Sequence, residues 1–94
     1  MLTSKQKAKI KSVAMGESSI FQVGKNNLNE NLIEGLNQAL EKREIIKINI
    51  LKSSELSKEE VANIIAKETK SSLVEIKGQT VVLYKKSKKD LYQI

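Results

Sequence analysis

The stretch Gly24-Lys25-Asn26-Asn27-Leu28-Asn29 holds the residue types best suited to chemistry in this sequence. A short apolar segment ends just before it at Val23. A segment with apolar residues at helical spacing begins just after it, near Leu32. The stretch therefore reads as a strand-to-helix turn. A helix start leaves about four backbone N–H groups without partners inside the helix. The helix dipole adds about half a positive charge there. Gly24 and the two asparagines tolerate positive φ, so the chain can turn tightly and aim its amides outward. Lys25 places a mobile ammonium at the tip. Together these parts make a cradle for phosphate. An extended sugar–phosphate chain fits it better than a lone nucleotide, because no Walker-type lysine–serine pair and no ribose-binding acid stands at the required offset. Taken alone, the same residues are also an ordinary turn between a strand and a helix.

The remaining inventory narrows the chemistry by subtraction. There is no Cys and no His, and Asp90 is the sole Asp. Zinc sites, Ser-His-Asp triads and Cys-His pairs are thereby excluded. A carboxylate–lysine enzyme is formally possible, but no spacing points to one, and no cofactor is expected. Seventeen Lys and Arg residues face eleven acids, for a net charge of +6 over 94 residues. The excess is concentrated at the two ends. Lys5, Lys7, Lys9 and Lys11 have no acid near them in sequence, and Lys85, Lys86, Lys88 and Lys89 face only Asp90. The stretch between is close to neutral. Two basic ends point to an anionic partner, whether RNA, DNA or an acidic membrane. The competing reading is a charged surface that serves solubility alone.

Phe21, Tyr84 and Tyr92 are the only aromatics. They are too few and too scattered for an RRM-type stacking platform, and Phe21 is assigned to the core. Contact with phosphates and nucleic-acid shape is expected, not strong base reading. Arg43, the sole Arg, either complements a helix C-terminus or touches nucleic acid. No apolar run approaches the ~18 residues of a membrane span, and the N-terminus lacks the pattern of a secretory signal. An intracellular, cytoplasmic, soluble protein is expected.

These residues must be positioned by a regular alternation of elements. Thr3 and Gln6 form a capping box for a helix running to about Met15, with Gly16 as its C′ residue. Leu2, Ile10, Val13 and Ala14 share one face of it, flanked by Lys5 and Lys9 on one side and Lys7 and Lys11 on the other. Residues 18–23 form a strand. Asn29 caps a second helix through Leu32, Ile33, Leu36, Ala39 and Leu40, with Leu28 and Ile33 at staple spacing. Ile46, Ile48 and Ile50 alternate with Lys47 and Asn49 in a strand over 45–51. Ser57 and Glu60 form a second capping box, with Leu56 and Val61 at staple spacing, for a helix fading near Thr69. Residues 72–77 and 80–85 form two strands joined by Gly78-Gln79, which suits a type II′ hairpin. The order α-β-α-β-α-β-β gives one α/β domain over 1–85 and a flexible basic tail over 86–94. Two crossovers favour parallel pairing of sequential strands, and the hairpin adds an antiparallel one. The expected result is a two-layer α/β fold on a mixed four-stranded sheet with one well-covered face.

In that order of elements the sequence resembles the YhbY-type RNA-binding proteins, the stand-alone bacterial form of the CRM domain. The stretches that carry the likeness are Leu2-Thr3-Ser4-Lys5-Gln6-Lys7, Ile20-Phe21-Gln22-Val23-Gly24-Lys25, the run from Ala39 to Ile48, and Gly78-Gln79-Thr80-Val81-Val82-Leu83-Tyr84-Lys85. The resemblance implies a fold similar to the C-terminal domain of bacterial translation initiation factor three. It also implies a GxxG loop like that of KH domains, with Gly24, Lys25 and Asn26 in its first three positions. Asn27 stands where the family has the second Gly. Residues 15–19 replace a stretch that commonly has His and ends in Pro. The function implied is binding of ribosomal RNA in precursors of the large ribosomal subunit, by a monomer. Gly24, Lys25, Asn26 and Asn27 would grip the backbone, aided by Lys5, Lys7, Lys9, Lys11 and Arg43. Two other readings stand beside it. One is a protein-interaction module docking on ribosomal or regulatory proteins. The other is a peripheral membrane protein using the first helix, whose apolar face is small.

Overall fold

Local capping sets the helices. Thr3 Oγ1 accepts from the Gln6 N–H at 3.1 Å, and Gln6 Oε1 accepts from the Thr3 N–H at 2.8 Å. This closed box starts α1 (Ser4–Met15). α1 ends at Gly16 with φ −88°, a right-handed conformation, so the left-handed freedom of glycine is not used there. Asn29 Oδ1 accepts from the Leu32 N–H at 3.1 Å and starts α2 (Glu30–Arg43). Ser57 Oγ accepts from the Glu60 N–H at 3.2 Å and starts α3 (Lys58–Thr69). The computed structural model describes residues 2–24, 29–51 and 57–92. The staple partners Leu28 and Leu56 lie outside the described residues.

Four strands make one sheet: β1 (Phe21–Val23), β2 (Ile45–Ile50), β3 (Ser72–Lys77) and β4 (Thr80–Tyr84). β1 is shorter than the expected segment from Ser18, although the Ile20 N–H already donates to the Lys47 carbonyl at 3.0 Å. The strand order is β1-β2-β4-β3. β1 and β2 pair in parallel as expected. The second expected parallel pair does not form, because β4 lies between β2 and β3 and is antiparallel to both. The physical reason is burial. Val81, Val82, Leu83 and Tyr84 are all buried, and only a central strand is covered on both sides. β3, half-buried in alternation with exposed ends, takes the edge.

The hairpin turns through Gly78 at φ +60°, while Gln79 keeps a negative φ, which defines type II′. A Cβ at Gly78 would meet no atom within 4 Å. Gly78→Ala should therefore lose only what the left-handed backbone costs, about 1–2 kcal/mol, as a lowered midpoint in thermal unfolding.

The core has two parts, one on each side of the sheet. Ile46, Ile48, Ile50, Val81 and Leu83 point to α2 and α3 and pack with Leu32, Leu36, Leu40, Val61, Ala62 and Ile65. Ile45, Val74, Val82 and Tyr84 point the other way and pack with Ile10 and Ala14 of α1. The expected well-covered face is the one under α2 and α3, and α1 packs on the reverse face. Phe21 packs on the α2/α3 side, as assigned. Gly35 of α2 permits this, since a Cβ there would approach the Phe21 ring to 3.3 Å. A register shift between Leu73 and Glu75 bends β3 so that Ile76 returns to the α2/α3 core and Glu75 and Lys77 face the α1 side.

Candidate nucleic-acid interface

α1 presents its lysines as the sequence requires. Ile10 and Ala14 are buried under it, Leu2 and Val13 pack at the margin, and Lys5, Lys9 and Lys11 are exposed with Lys7 half-buried. Two of the four have partners among the described residues. Lys9 Nζ donates to the Tyr92 carbonyl at 2.7 Å. Lys11 Nζ lies 3.9 Å from Glu75, an exposed pair that water screens strongly. Lys9 therefore ties α1 to the C-terminal segment as well as carrying charge.

Of the expected phosphate loop, Gly24 is described and is half-buried at the end of β1. Lys25, Asn26 and Asn27 lie outside the described residues. α2 opens beyond them at Asn29, on the opposite side of the sheet from α1. Arg43 is exposed in the last turn of α2 beside Lys42, where both complement the helix dipole. With 14 residues in α2, Arg43 stands about 20 Å from that helix's start.

The sheet supplies surface groups that motif reasoning passes over. Lys47 and Asn49 of β2 alternate with the core isoleucines and so face the α1 side, Lys47 at the margin of α1. Lys47 Nζ donates to the Glu17 carbonyl at 3.2 Å. A groove of about 310 Å³ runs between the C-terminal half of α1 and the β3–β4 hairpin, with Lys11, Met15, Lys47, Glu75, Lys77 and Thr80 on its walls. Met15 is 83% exposed there. The opposite side of the molecule is mixed in charge. The outer surfaces of α2 and α3 expose Glu30, Glu34, Glu41, Glu59, Glu60 and Glu68, with Lys42, Arg43 and Lys67 among them. The alternation of β2 was the signal for Lys47 and Asn49. Lys77 was hidden by the bulge, which reverses the facing of β3.

The segment from Lys86, expected to be a flexible tail, is pinned as far as Tyr92. Glu44 is fully buried and sits at φ 65° just after α2. Its carboxylate accepts from the Ser87 N–H at 3.0 Å, from the Ser87 hydroxyl, and from the Leu91 N–H at 3.1 Å. Burial pushes the Glu44 pKa up, but hydrogen bonds from the Ser87 side chain and the Leu91 and Ser87 amides outweigh it. The net pKa lies below the usual 4.5. Burial raises the pKa of Tyr84 above 10.0, with help from the charges of Glu44 and Asp90.

One mixed sheet, a helical layer of mixed charge on one face, and a reverse face edged by lysines define a small α/β domain. The chain matches the CRS1 / YhbY (CRM) domain over residues 2–85. It belongs to the CRS1/YhbY (CRM) domain family. It is 46% identical over 90 residues to a Bacillus subtilis (strain 168) protein named "Probable RNA-binding protein YqeI", covering 96% of this chain and 94% of that one. It is 30% identical over 93 residues to an RNA-binding protein of Haemophilus influenzae, covering 99% and 94%. Its fold is similar to the solution structure of the Staphylococcus aureus protein SAV1595, described as a candidate RNA-binding protein. The TM-score is 0.78, with 41% identity and coverage of 94% and 92%. Among the described residues, no helix is long and apolar enough to cross a membrane, and no group of three or more acidic residues could hold a metal ion.

Proposed function

We propose that this protein is a cytoplasmic, monomeric RNA-binding protein, without enzymatic activity, that binds ribosomal RNA in large-subunit precursors and assists their assembly. The observation that carries this reading is the division of charge. Lys5, Lys7, Lys9 and Lys11 line the helix on the reverse face with no acid among them, while on the opposite helical layer the exposed carboxylates are interspersed with Lys42, Arg43, Lys58 and Lys67. A polyanion is drawn to the side where cations stand without acids more than to the side where the two signs are mixed. The names of the relatives point the same way. The loop at Gly24, Lys25, Asn26 and Asn27 grips the backbone through amides and an ammonium, and the α1 lysines supply longer-range attraction.

Such binding releases counterions. Each single-strand phosphate neutralised adds about −0.7 to the slope of log affinity against log salt. Engagement of four phosphates gives a slope near −3 in a KCl titration followed by fluorescence anisotropy. A flat response would reject the mechanism. Lys25→Glu should weaken RNA binding while changing unfolding free energy by less than about 0.5 kcal/mol. In cells, crosslinking followed by sequencing of the attached RNA should recover large-subunit precursor sequence.

A further inference from the structure

The end of the sheet's reverse face farthest from α1 is not part of the core under that helix, and its composition is unlike the covered part. The register defines it. Gln22 stands opposite Asn49, Asn49 opposite Thr80, and Thr80 opposite Lys77. Residues directly opposite in a ladder share a face. Their strand neighbours Phe21, Val23, Ile48, Ile50, Val81 and Ile76 belong to the α2/α3 core, so these four point the other way. The result is a polar row across all four strands, about 14 Å long at the usual spacing between strands. One step nearer α1 comes a second row, Lys47, Val82 and Glu75, whose Val82 already packs under α1. The next step reaches Ile45 and Tyr84, which α1 also buries. The β3 bulge is what completes the row, because without it Lys77 would face the α2/α3 layer.

We infer that this end of the face is a floor on which a short run of unpaired RNA bases lies and is read by hydrogen bonds from Asn49, Thr80 and Gln22, with Lys47 and Lys77 holding the flanking phosphates. The inference rests on the RNA-binding reading above and adds base selectivity to it. The side-chain chemistry is suited to the task. Amides offer both a donor and an acceptor, and a hydroxyl offers either. Asn and Gln match the paired donor and acceptor on the adenine edge, and the other bases present different patterns. Stacking does not contribute, since Phe21 lies on the other side and Tyr84 lies under α1. The occupant is single-stranded because base edges in an RNA duplex are engaged in pairs or sunk in a deep groove. The charge around the groove agrees, with Lys11, Lys47 and Lys77 against the single carboxylate of Glu75.

The test uses the full chain, fluorescein-labelled ten-nucleotide homopolymers of A, C and U, and a mixed-sequence hairpin duplex. Wild-type protein should separate the best homopolymer from the worst by about tenfold, the scale of one good base contact. Asn49→Ala/Thr80→Val should bring the homopolymers within twofold of one another and leave the weakest unchanged. Lys25→Glu should lower affinity for every RNA by a common factor and keep the ratio. Lys77→Glu, at an exposed position, should weaken the homopolymers severalfold more than the duplex, with Lys77→Arg restoring them. This variant carries the test if the double substitution unfolds the chain. Equal wild-type affinity for all homopolymers, an unchanged ratio in the double variant, or Lys77→Glu acting equally on duplex and single strands would each overturn the floor while leaving a salt-dependent, Lys25-dependent binder intact. Absence of binding to all four RNAs would instead overturn the RNA-binding reading and the floor with it.

Discussion

Glu44→Ala is expected to lower stability by about 3 kcal/mol, a fall in the unfolding midpoint of about 12–24 °C for a domain of this size. Glu44 is fully buried, and its carboxylate serves the Ser87 amide, the Ser87 hydroxyl and the Leu91 amide. Removing it leaves those donors to find water or to stay unpaired, and a buried unpaired donor costs about 1–3 kcal/mol. The loss should be local first. Amide hydrogen exchange at Ser87 and Leu91 should accelerate far more than exchange within β4. A midpoint within 2 °C of wild type (under ~0.5 kcal/mol) would show that the anchor carries no weight.

The same carboxylate predicts a pH dependence. Its native pKa lies below the 4.5 of an unconstrained Glu, so the unfolded chain takes up the proton first as pH falls. The stability it contributes is complete above about pH 5.5 and declines as pH drops through 4.5 toward the native value. Glu44→Gln should flatten that acid limb. Tyr84 works in the opposite sense. Its native pKa is raised above 10.0, so the unfolded chain ionises first and stability declines as pH rises past that point.

Leu36→Ala should cost about 3 kcal/mol, within the range for emptying a packed site. Leu36 is fully buried in α2 among the residues of the α2/α3 core. Ile64 on α3 is 38% exposed, and Ile64→Ala should cost less than about 1 kcal/mol. Urea unfolding of both variants measures the contrast. Comparable losses would mean that the helical layer is held by something other than the interior packing described.

What could be read from the sequence was what the chain settles locally. Thr3 with Gln6, Asn29 with Leu32, and Ser57 with Glu60 act within three residues, so type and spacing suffice to place the helix starts. Gly78 announces its hairpin for the same reason. Strand order depends on pairing between distant segments. The apolar run Val81-Val82-Leu83-Tyr84 was a legible sign of a strand buried on both faces, and it outweighs the tendency of consecutive strands to pair. The Glu44 anchor was not legible, because a carboxylate just past a helix looks like solvent-facing charge until partners 43 and 47 residues away are brought to it. The α1 lysines followed from helical periodicity. The polar row on the sheet did not, since it exists only through four strands in register and one bulge.

The position of β4 has a consequence for how the molecule is made. It is the last of the four strands in the chain, yet it sits between β2 and β3 and bridges the two halves of the sheet. During translation, β1 and β2 emerge early with no neighbour to complete them. The reverse face cannot close until residues 80–84 leave the exit tunnel, and the Glu44 carboxylate waits still longer for Ser87 and Leu91. Folding is therefore deferred until that segment has been made, and a nascent chain has no assembled surface with which to seize a nucleic acid before then.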